Sequence, residues 1–233
     1  PTEIWAEGAW SGDAGWPSAV AVWEGRLWWS GAGRAFGSVS DAFASFDPGY
    51  DGDAAPINRS VGDVAVGRIN WLLPLQRLVA GADGAEYAIK STSFEEPVTP
   101  SNYNAKAFST RGCAPVPAAN SGTRGYFVGR TGNRLFEMQY DAQSYDYATT
   151  DITLLAPEIG DSGFVRLAVQ EAPDTRLHAV LGNGKVAVLV RDQLEDVLCW
   201  VDVETDGHVE DVVVLPGEGE DRVYYRVRRV IGG

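Results

Sequence analysis

The run from Gly160 to Gly163 comes nearest to a catalytic motif in this sequence. It reads Gly-Asp-Ser-Gly, the order found around the nucleophile of one class of serine proteases, in which the general-base histidine comes earlier in the chain. Both histidines here, His178 and His208, follow Ser162, and Phe164 stands where that class has another glycine. The sequence therefore predicts a polar turn that leads into a strand, with His178 in the core or in a cross-strand contact.

The acidic and sulfur side chains do not match a metal motif. Asp47, Asp51 and Asp53 could donate oxygens to Ca²⁺, but they do not fit the EF-hand loop and lack its distal glutamate. An ordinary Asp-Gly turn is the favoured interpretation, with a bound cation left open as the alternative. Cys113 and Cys199 fit no Zn²⁺ spacing, so we predict buried or half-buried free thiols, and a disulfide between them stays open. No cofactor is predicted.

Six of the eight tryptophans lie within the first thirty residues. They are Trp5, Trp10, Trp16, Trp23, Trp28 and Trp29. Such rings could stack on sugars or pack in a core. Because adjacent residues of a strand point to opposite faces, Trp28 and Trp29 cannot share one platform. Core packing is the favoured interpretation.

The chain of 233 residues is long enough for one large β-domain or two smaller domains, and its net charge is −13. Eleven acidic residues and no Lys or Arg lie between Asp192 and Asp221. Because DNA binding relies on basic side chains, this charge disfavours wrapping around nucleic acid; it suits a solvated rim, or a surface that DNA slides past. No apolar run approaches the roughly 18 residues of a membrane span, and no signal peptide is recognisable. The first residue, Pro1, favours a piece processed or excised from a longer protein.

The elements that must position these side chains recur along the chain. Five strand-like segments follow turns: Arg26–Trp29, Arg77–Ala80, Gly125–Val128, Arg176–Ala179 and Arg222–Tyr225. Their second residues lie 46 to 51 positions apart, and glycine-containing turns and further strands follow most of them. Repeats of this length built from short strands indicate propeller blades. The sequence predicts an all-β, β-propeller-like fold with about five small antiparallel blades, as a single domain spanning 1–233.

Helical patterns are weak, and the loops are rich in turn formers. Val39–Phe46 and Asp192–Val197 could each form one helical turn, but no window keeps helical apolar spacing over the length that a packed helix needs. The loops Asp47–Pro56 and Glu95–Tyr103 could carry contacts, since long loops on a rigid scaffold often do.

The last strand alternates between basic and apolar residues. Alternation places Arg222, Tyr224, Arg226 and Arg228 on one face, and Val223, Tyr225 and Val227 on the other. If the strand pairs as a hairpin with Val209–Leu215, then Glu210 and Asp211 can meet opposite charges across the strands. The alternative is that the basic face meets an acidic face of a neighbouring subunit.

The opening stretch combines a Gly-Trp-Pro turn, a strand and a glycine turn in a fixed order. This order is carried by Gly15, Pro17, Arg26, Leu27, Gly31, Asp41 and Phe46, and is continued by Thr99, Pro100 and Asn102. The pattern resembles the tail tubular protein B (tail nozzle) and packaged-DNA stabilisation proteins of tailed phages, over roughly residues 8–232. The sequence departs from that group at Trp16, where Tyr is usual, and at Glu24 and Gly25, which replace a Gln-rich pair.

The resemblance implies a non-enzymatic structural protein of the virion tail, assembled in the cytoplasm of the bacterial host. Its partners would be other phage tail and connector proteins and further copies of itself in a ring around the DNA path, without sequence-specific DNA binding and without a membrane. We expect Asp192–Asp221 to face a channel or the outer surface, and Glu95–Tyr103 to contact neighbours. Two alternatives stay open: a glycan-binding or glycan-cleaving propeller of a phage tail or secreted enzyme, and a host-side interaction scaffold encoded by a prophage.

Overall fold

The computed structural model describes residues 8–62, 67–93, 96–192 and 197–232. These residues form an all-β protein with no α-helix; one short 3₁₀ helix spans Pro157–Gly160. Within the same ranges, no helix is long and apolar enough to cross a membrane.

The chain separates into two compact units, Pro1–Gly112 (unit 1) and Cys113–Gly233 (unit 2). Each unit has its own strands and its own core. The single domain expected over 1–233 therefore stays a prediction, and the two units are described in turn.

Unit 1 contains two four-stranded antiparallel sheets whose strands follow one another in chain order. The first sheet consists of β1 (Ala19–Trp23), β2 (Arg26–Gly31), β3 (Arg34–Gly37) and β4 (Ile57–Ser60). The second consists of β5 (Ile69–Pro74), β6 (Leu78–Ala82), β7 (Glu86–Ser91) and β8 (Tyr103–Ser109).

Unit 2 contains two further four-stranded antiparallel sheets and a hairpin. The third sheet consists of β9 (Ala119–Ser121), β10 (Arg124–Val128), β11 (Leu135–Asp141) and β12 (Asp146–Asp151). The fourth consists of β13 (Phe164–Gln170), β14 (Arg176–Leu181), β15 (Val186–Asp192) and β16 (Val197–Val203). The hairpin pairs β17 (His208–Leu215) with β18 (Arg222–Arg228).

The sheets confirm the repeat found in the sequence. The five recurring segments fall on β2, β6, β10, β14 and β18, which are the second strands of the five sheets in chain order. Four consecutive antiparallel strands per sheet is the plan of a propeller blade, so the fold is propeller-like in its repeating unit. The fifth sheet differs from the others because only two strands are paired in it within the described residues.

The core of unit 1 lies between its two sheets and is built from alternate strand residues. Trp28, Ile57, Leu78 and Ile89 are all fully or almost fully buried there. In β1 the inward positions belong to alanines and Trp23, whereas Val20 and Val22 are 50% and 58% exposed. The alternating valines that mark β1 as a strand in the sequence therefore lie on its outward face.

The core of unit 2 has two parts. One lies between the third and fourth sheets and includes Tyr126, Leu135, Leu177 and Leu189. The other lies under the hairpin, where the apolar face of β18 packs against valines of β14, β15 and β17. Burial of these faces removes apolar surface from water, which is the main stabilising contribution in such small sheets.

The predicted hairpin and its charge pairing are confirmed. Glu210 contacts Arg226 and Arg228, with 3.3 Å between each arginine Nε and a carboxylate oxygen, and Asp211 lies 3.2 Å from Nε of Arg166. The arginine side chains are well exposed, so each pair contributes at most about 1 kcal/mol.

The two suggested helical turns have different outcomes. Residues 39–46 form turns and an isolated β-bridge between Val39 and Ala42, so the helical suggestion there is wrong. The apolar residues of this run have helical spacing, but Asp41 has φ +57°, which interrupts a right-handed helix. The second suggested turn lies mostly outside the described residues, since 193–196 are not among them.

Candidate functional site

Arg26 has the most demanding environment of the motif residues. It is 3% exposed, and its guanidinium donates hydrogen bonds to backbone carbonyl oxygens. Nη1 donates to Ser38 (2.5 Å) and Ala55 (2.8 Å), and Nη2 donates to Asp53 (2.6 Å). Because the accepting segments are far from Arg26 in sequence, this one side chain joins β2 to both ends of the connection between β3 and β4.

Burial of the Arg26 charge changes the pKa of its guanidinium group. Burial lowers the pKa of Arg26 from its usual value, while the negative charges of Asp41 and Glu24 act in the opposite direction. The side chain nevertheless stays protonated near neutral pH, because guanidinium groups lose their proton only at very high pH. Its carbonyl partners hold the adjoining loop, residues 47–54, which is exposed throughout.

The candidate cation ligands lie on this loop. The Asp47 carboxylate accepts a hydrogen bond from the backbone N–H of Gly49 (2.9 Å), and the carbonyl of Asp53 is taken by Arg26. Asp51 is exposed, and within the described residues no three His, Cys, Asp or Glu side chains form a metal-binding group. The Asp-Gly turn is the interpretation that the loop geometry favours.

Gly31 and Pro17 of the motif are brought together by close packing. A Cβ added to Gly31 would lie 3.1 Å from Pro17 Cα and from the Trp16 carbonyl oxygen, so the opening turn can cross β2 only above a glycine. Gly15 has φ +88°, and Leu27 is half-buried.

Asp41 and Phe46 lie in the connection that Arg26 holds. Asp41 has φ +57°, and its backbone N–H donates to the carbonyl of Gly25 (2.8 Å). Phe46 is half-buried, with its ring centroid 6.3 Å from that of Trp10. The motif residues before Phe46 thus shape the backbone, and Phe46 contributes to a groove.

Thr99, Pro100 and Asn102 lie in a turn that is held by hydrogen bonds between its own side chains and backbone. The Thr99 backbone N–H donates to Asn102 Oδ1 (2.7 Å), and Asn102 Nδ2 donates to the Pro97 carbonyl (3.1 Å). Nη2 of Arg59 on β4 donates to the Pro100 carbonyl (2.8 Å). These bonds fix the turn to the first sheet; Glu95, the first residue of the predicted contact loop, lies outside the described residues.

We call Arg26 and the motif residues around it the framework of unit 1. An aromatic groove of about 550 Å³ opens beside this framework. Its rings belong to Trp10, Trp16, Phe36, Phe46 and Tyr50. Trp16 and Tyr50 are 69% and 53% exposed, and the buried Nε1 of Trp10 has no hydrogen-bond partner among the described residues. The groove therefore offers aromatic stacking surfaces.

The tryptophans thus divide between core and surface. Trp23 and Trp28 are buried, as predicted, and Trp28 and Trp29 lie on opposite faces of β2. The prediction of core packing is wrong for Trp16, since the turn at Gly15 carries it past the end of the sheet. Trp5 lies outside the described residues.

A second, charged cleft of about 520 Å³ lies between the third and fourth sheets, within unit 2. Arg124 and Tyr126 of β10 and Arg191 of β15 line it. Glu137 of β11 stands between the two arginines, with 3.3 Å from Oε1 to Nε of Arg124 and 3.4 Å from Oε2 to Nε of Arg191. Sequence reasoning missed this cleft.

The signal that could have indicated it is strand alternation. In β10 and β11, Arg124 and Glu137 occupy the same sheet face as Val128 and Leu135, which are in the core. Charged residues in an inward register are therefore readable in the sequence, but their partner Arg191 comes from another sheet. Burial and the nearby Glu137 charge raise the pKa of the Tyr126 hydroxyl to about 12, so it is a neutral donor in this cleft.

His178 belongs to a structural network, as the sequence predicts. It is 6% exposed, with Nδ1 2.6 Å from the Tyr225 hydroxyl and Nε2 3.2 Å from Gln170 Oε1. Gln170 Nε2 donates to the Ala172 carbonyl, which directs Oε1 toward the imidazole. Nε2 of His178 therefore carries the proton, and Nδ1 accepts from Tyr225.

The other candidate residues from the sequence, a serine, a histidine and two cysteines, do not form a shared site. Ser162 lies exposed in its turn, whereas His178 is bonded to Tyr225 and Gln170, so the structure shows no Ser–His pair there. No disulfide joins Cys113 and Cys199, and Cys113 is buried as predicted. Cys199 is exposed rather than half-buried, because it lies on β16 at the edge of the fourth sheet.

Comparison with known proteins gives a distant structural match. No protein-family model matches the chain, and no curated protein matches it. Among solved structures, a luciferin-regenerating enzyme is similar, with 13% sequence identity and a TM-score of 0.48. The match covers 84% of this chain and 65% of the enzyme's chain, so this chain spans under two thirds of the length of that protein.

Proposed function

We propose that this chain is a structural component of a tailed-phage or prophage virion, of the tail-nozzle or adaptor kind, that assembles around the path of DNA exit. The observation that carries the proposal is the framework around Arg26. Its residues appear in the sequence in the order that resembles the tail nozzle group, and in unit 1 they hold exposed segments in fixed positions.

This framework suits a protein whose role is to present loops to its neighbours. Loop 47–54 is exposed along its whole length, yet its end is held by a buried guanidinium at Asp53 and Ala55. The turn at 99–102 is likewise held by Arg59 through the Pro100 carbonyl. A loop ordered before binding loses less conformational entropy when it meets a partner, which strengthens the association.

The charge distribution supports the same proposal. Most of the described acidic residues between Asp192 and Asp221 are exposed, and the chain carries a net charge of −13. An acidic surface repels the phosphate backbone, so DNA can pass such a surface without being retained.

The test is assembly with the proteins encoded beside its gene. The full-length protein is mixed with the neighbouring portal, adaptor and tail proteins, and the products are examined by native mass spectrometry and negative-stain electron microscopy. We expect a ring of several copies on the connector. A protein that stays monomeric with all of these partners would overturn the proposal.

A matched pair of variants locates the contact. Asp51→Lys reverses a charge on loop 47–54 and should weaken assembly, while Glu218→Lys reverses an exposed charge on the β17–β18 turn of unit 2 and should not. Both positions are exposed, so unfolding of the isolated protein should change by less than about 0.5 kcal/mol in either variant.

Glycan binding is the second candidate, and the aromatic groove of unit 1 is the observation that favours it. Exposed rings such as Trp16 and Tyr50 present flat apolar surfaces to the C–H faces of sugars. A glycan array followed by titration of tryptophan fluorescence tests this function. Binding should disappear in Trp16→Ala and persist in Tyr145→Ala, a matched exposed aromatic in unit 2.

A further inference from the structure

Strand β18 has one edge without a neighbouring strand among the described residues. In each four-stranded sheet the second strand pairs on both sides, and its later neighbour is β3, β7, β11 or β15. β18 is the second strand of the fifth sheet, yet within the same residues it pairs with β17 alone. The backbone N–H and C=O groups along its other edge are therefore open to pairing with a further strand.

β18 is also less buried than the corresponding strands of the other sheets. Each of β2, β6, β10 and β14 has at least four buried residues, whereas β18 has none. Its inward side chains, Val223, Tyr225 and Val227, pack against the core under the hairpin but stay half-buried. A strand paired with β18 shields this apolar surface from water on its open side.

The outward face of β18 is basic. Arg222, Arg226 and Arg228 are exposed there, and the strand contains no acidic residue. Glu210 of β17 contacts two of these arginines with a single carboxylate, at 3.3 Å from Nε of Arg226 and 3.3 Å from Nε of Arg228. Two positive charges therefore share one negative charge at this end of the strand.

The other nearby carboxylates do not cancel the remaining charge along the open edge. Asp211 contacts Arg166 of β13 (3.2 Å), and Asp221 accepts hydrogen bonds from two backbone N–H groups. Glu218 and Glu220 are exposed in the β17–β18 turn, so they lie beyond the first residue of β18. A strand added beside β18 lies about 4.8 Å from it and about twice as far from β17, so its side chains meet the arginines first.

We propose that the free edge of β18 pairs with an extended segment of a partner protein in which acidic residues alternate with apolar ones. The acidic side chains lie opposite Arg226 and Arg228, where opposite charges stabilise strand pairing, and the apolar side chains extend the core under the hairpin. In this mode of recognition the backbone hydrogen bonds provide affinity and the alternate side chains provide specificity. The proposal goes beyond the virion role, since it uses none of the motif residues of unit 1.

A second copy of the same strand does not meet these requirements. Two β18 strands that pair edge to edge through a two-fold axis bring the arginines of one copy close to those of the other. Like charges that lie opposite each other destabilise strand pairing. An acidic partner avoids this repulsion and neutralises the charge that Glu210 leaves uncompensated.

Fluorescence anisotropy with a labelled synthetic peptide and the full-length protein tests the proposal. The probe has a core as long as β18, in which Glu and Val alternate strictly. One control peptide has Lys in place of every Glu, and the other has the same composition as the probe with all Glu residues in one block. We expect the Glu–Val peptide to bind with a Kd of about 100 μM or tighter, and each control to bind at least about tenfold more weakly.

Hydrogen–deuterium exchange then locates the bound peptide. Binding should slow the exchange of backbone amides in Arg222–Arg228 and leave those of β16 unchanged. β16 is the matched control because it also has an open edge within the described residues but contains no arginine. Slower exchange on β16 instead would place the peptide at another edge and contradict the proposal.

A double variant tests the contribution of charge. Arg226→Gln combined with Arg228→Gln should weaken binding of the Glu–Val peptide at least about tenfold, because both cross-strand charges are lost. The control, Arg68→Gln combined with Arg130→Gln, lowers the net charge equally at exposed positions outside β17 and β18 and should leave binding unchanged. Circular dichroism checks that both proteins stay folded.

Three further results would overturn the proposal. The first is that the Glu–Val peptide does not bind, or binds no better than either control peptide. The second is an equal loss of affinity in both double variants, which would reflect net charge rather than this edge. The third is self-association that excludes the peptide and strengthens when Arg226 and Arg228 are replaced, since the edge would then be occupied by a second copy.

Discussion

At the scale of single residues, Arg26 is the side chain that unit 1 depends on most. Arg26→Met keeps most of the volume but leaves the buried carbonyls of Ser38 and Ala55 without donors. Hydrogen bonds from a charged donor contribute about 1.5–3 kcal/mol each, and buried acceptors without partners add a desolvation cost. We expect Arg26→Met to lower the free energy of unfolding by about 3 kcal/mol or more in urea titrations.

The matched control for this prediction is Arg34→Met on β3. Arg34 is exposed, with Nε donating to Asn58 Oδ1 (2.8 Å), so its loss should cost no more than about 1 kcal/mol. Equal effects at the two positions would show that the carbonyl contacts of Arg26 contribute little to stability.

His178 makes unit 2 sensitive to mild acid. Burial, and secondarily the charge of Arg176, lower the pKa of His178 below its ordinary value near 6.5. Below pH 6.5 the unfolded chain therefore binds a proton that the folded chain resists, and stability falls as the pH decreases toward the folded pKa. Above pH 6.5 this contribution is fully present.

His178→Gln isolates that effect because glutamine does not titrate in this range. We expect wild type to lose more stability than His178→Gln between pH 7 and pH 5, measured by urea unfolding at both values. The other ionisable groups are the same in both proteins, so their contributions cancel in the comparison. Parallel losses would show that the protonation of His178 is not linked to folding.

At the scale of elements, the turn 160–163 has a structural role that its sequence conceals. A Cβ on Gly182, at the end of β14, would collide with the Ser162 carbonyl oxygen, and the Gly182 N–H donates to Gly163 (2.9 Å). Gly182→Ala must therefore displace backbone, and we expect a loss of about 2–4 kcal/mol in unfolding free energy.

The control is Gly84→Ala, in the turn between β6 and β7. An added Cβ there meets nothing within 4 Å, and the residue does not need a positive φ. Alanine should leave stability unchanged or raise it by up to about 1 kcal/mol, because it restricts the unfolded chain. A similar loss in both variants would point to a general requirement for glycine in these turns.

The strands themselves could be predicted because their signals are local. A glycine-containing turn indicates the β14–β15 hairpin, alternation indicates the β17–β18 hairpin, and the interval between repeats places β2, β6, β10, β14 and β18. Alternation does not say which face turns inward, so the outward position of Val20 and Val22 on β1 was not foreseen. Within the described residues the fifth sheet has only two strands, and no local signal in the sequence indicates this break in the repeat.

The sites were harder to predict because they depend on contacts across sheets. Arg26 was recognised as a motif position, but its carbonyl partners depend on how the chain returns after β3. The Glu137 cluster needs both the β10–β11 register and an arginine from the fourth sheet. Residue types alone do not indicate that an arginine of the fourth sheet lies close to Glu137.

At the scale of the whole molecule, the two compact units raise the question of independent folding. The core cluster of unit 1 draws on residues between Ala19 and Ala105, and those of unit 2 on residues between Ala114 and Val227. Among the described residues, none of these three clusters includes a side chain from the other unit. Each unit is also of a length at which single domains commonly fold.

We therefore expect residues 1–112 and 113–233, produced separately, each to give a β-type circular dichroism spectrum and a cooperative urea transition. Each unit should unfold with a free energy of about 5 kcal/mol, at the lower end for small domains, because its core is smaller than that of the whole chain. Cys113 begins the second piece and is buried, so the control is the same piece extended to start at Arg111. If the extended piece folds and the shorter one does not, the cut has damaged the β-bridge between Cys113 and Gly129. If neither piece of unit 2 folds, or unit 1 does not, the cores depend on each other and the single domain predicted from the sequence is the better description.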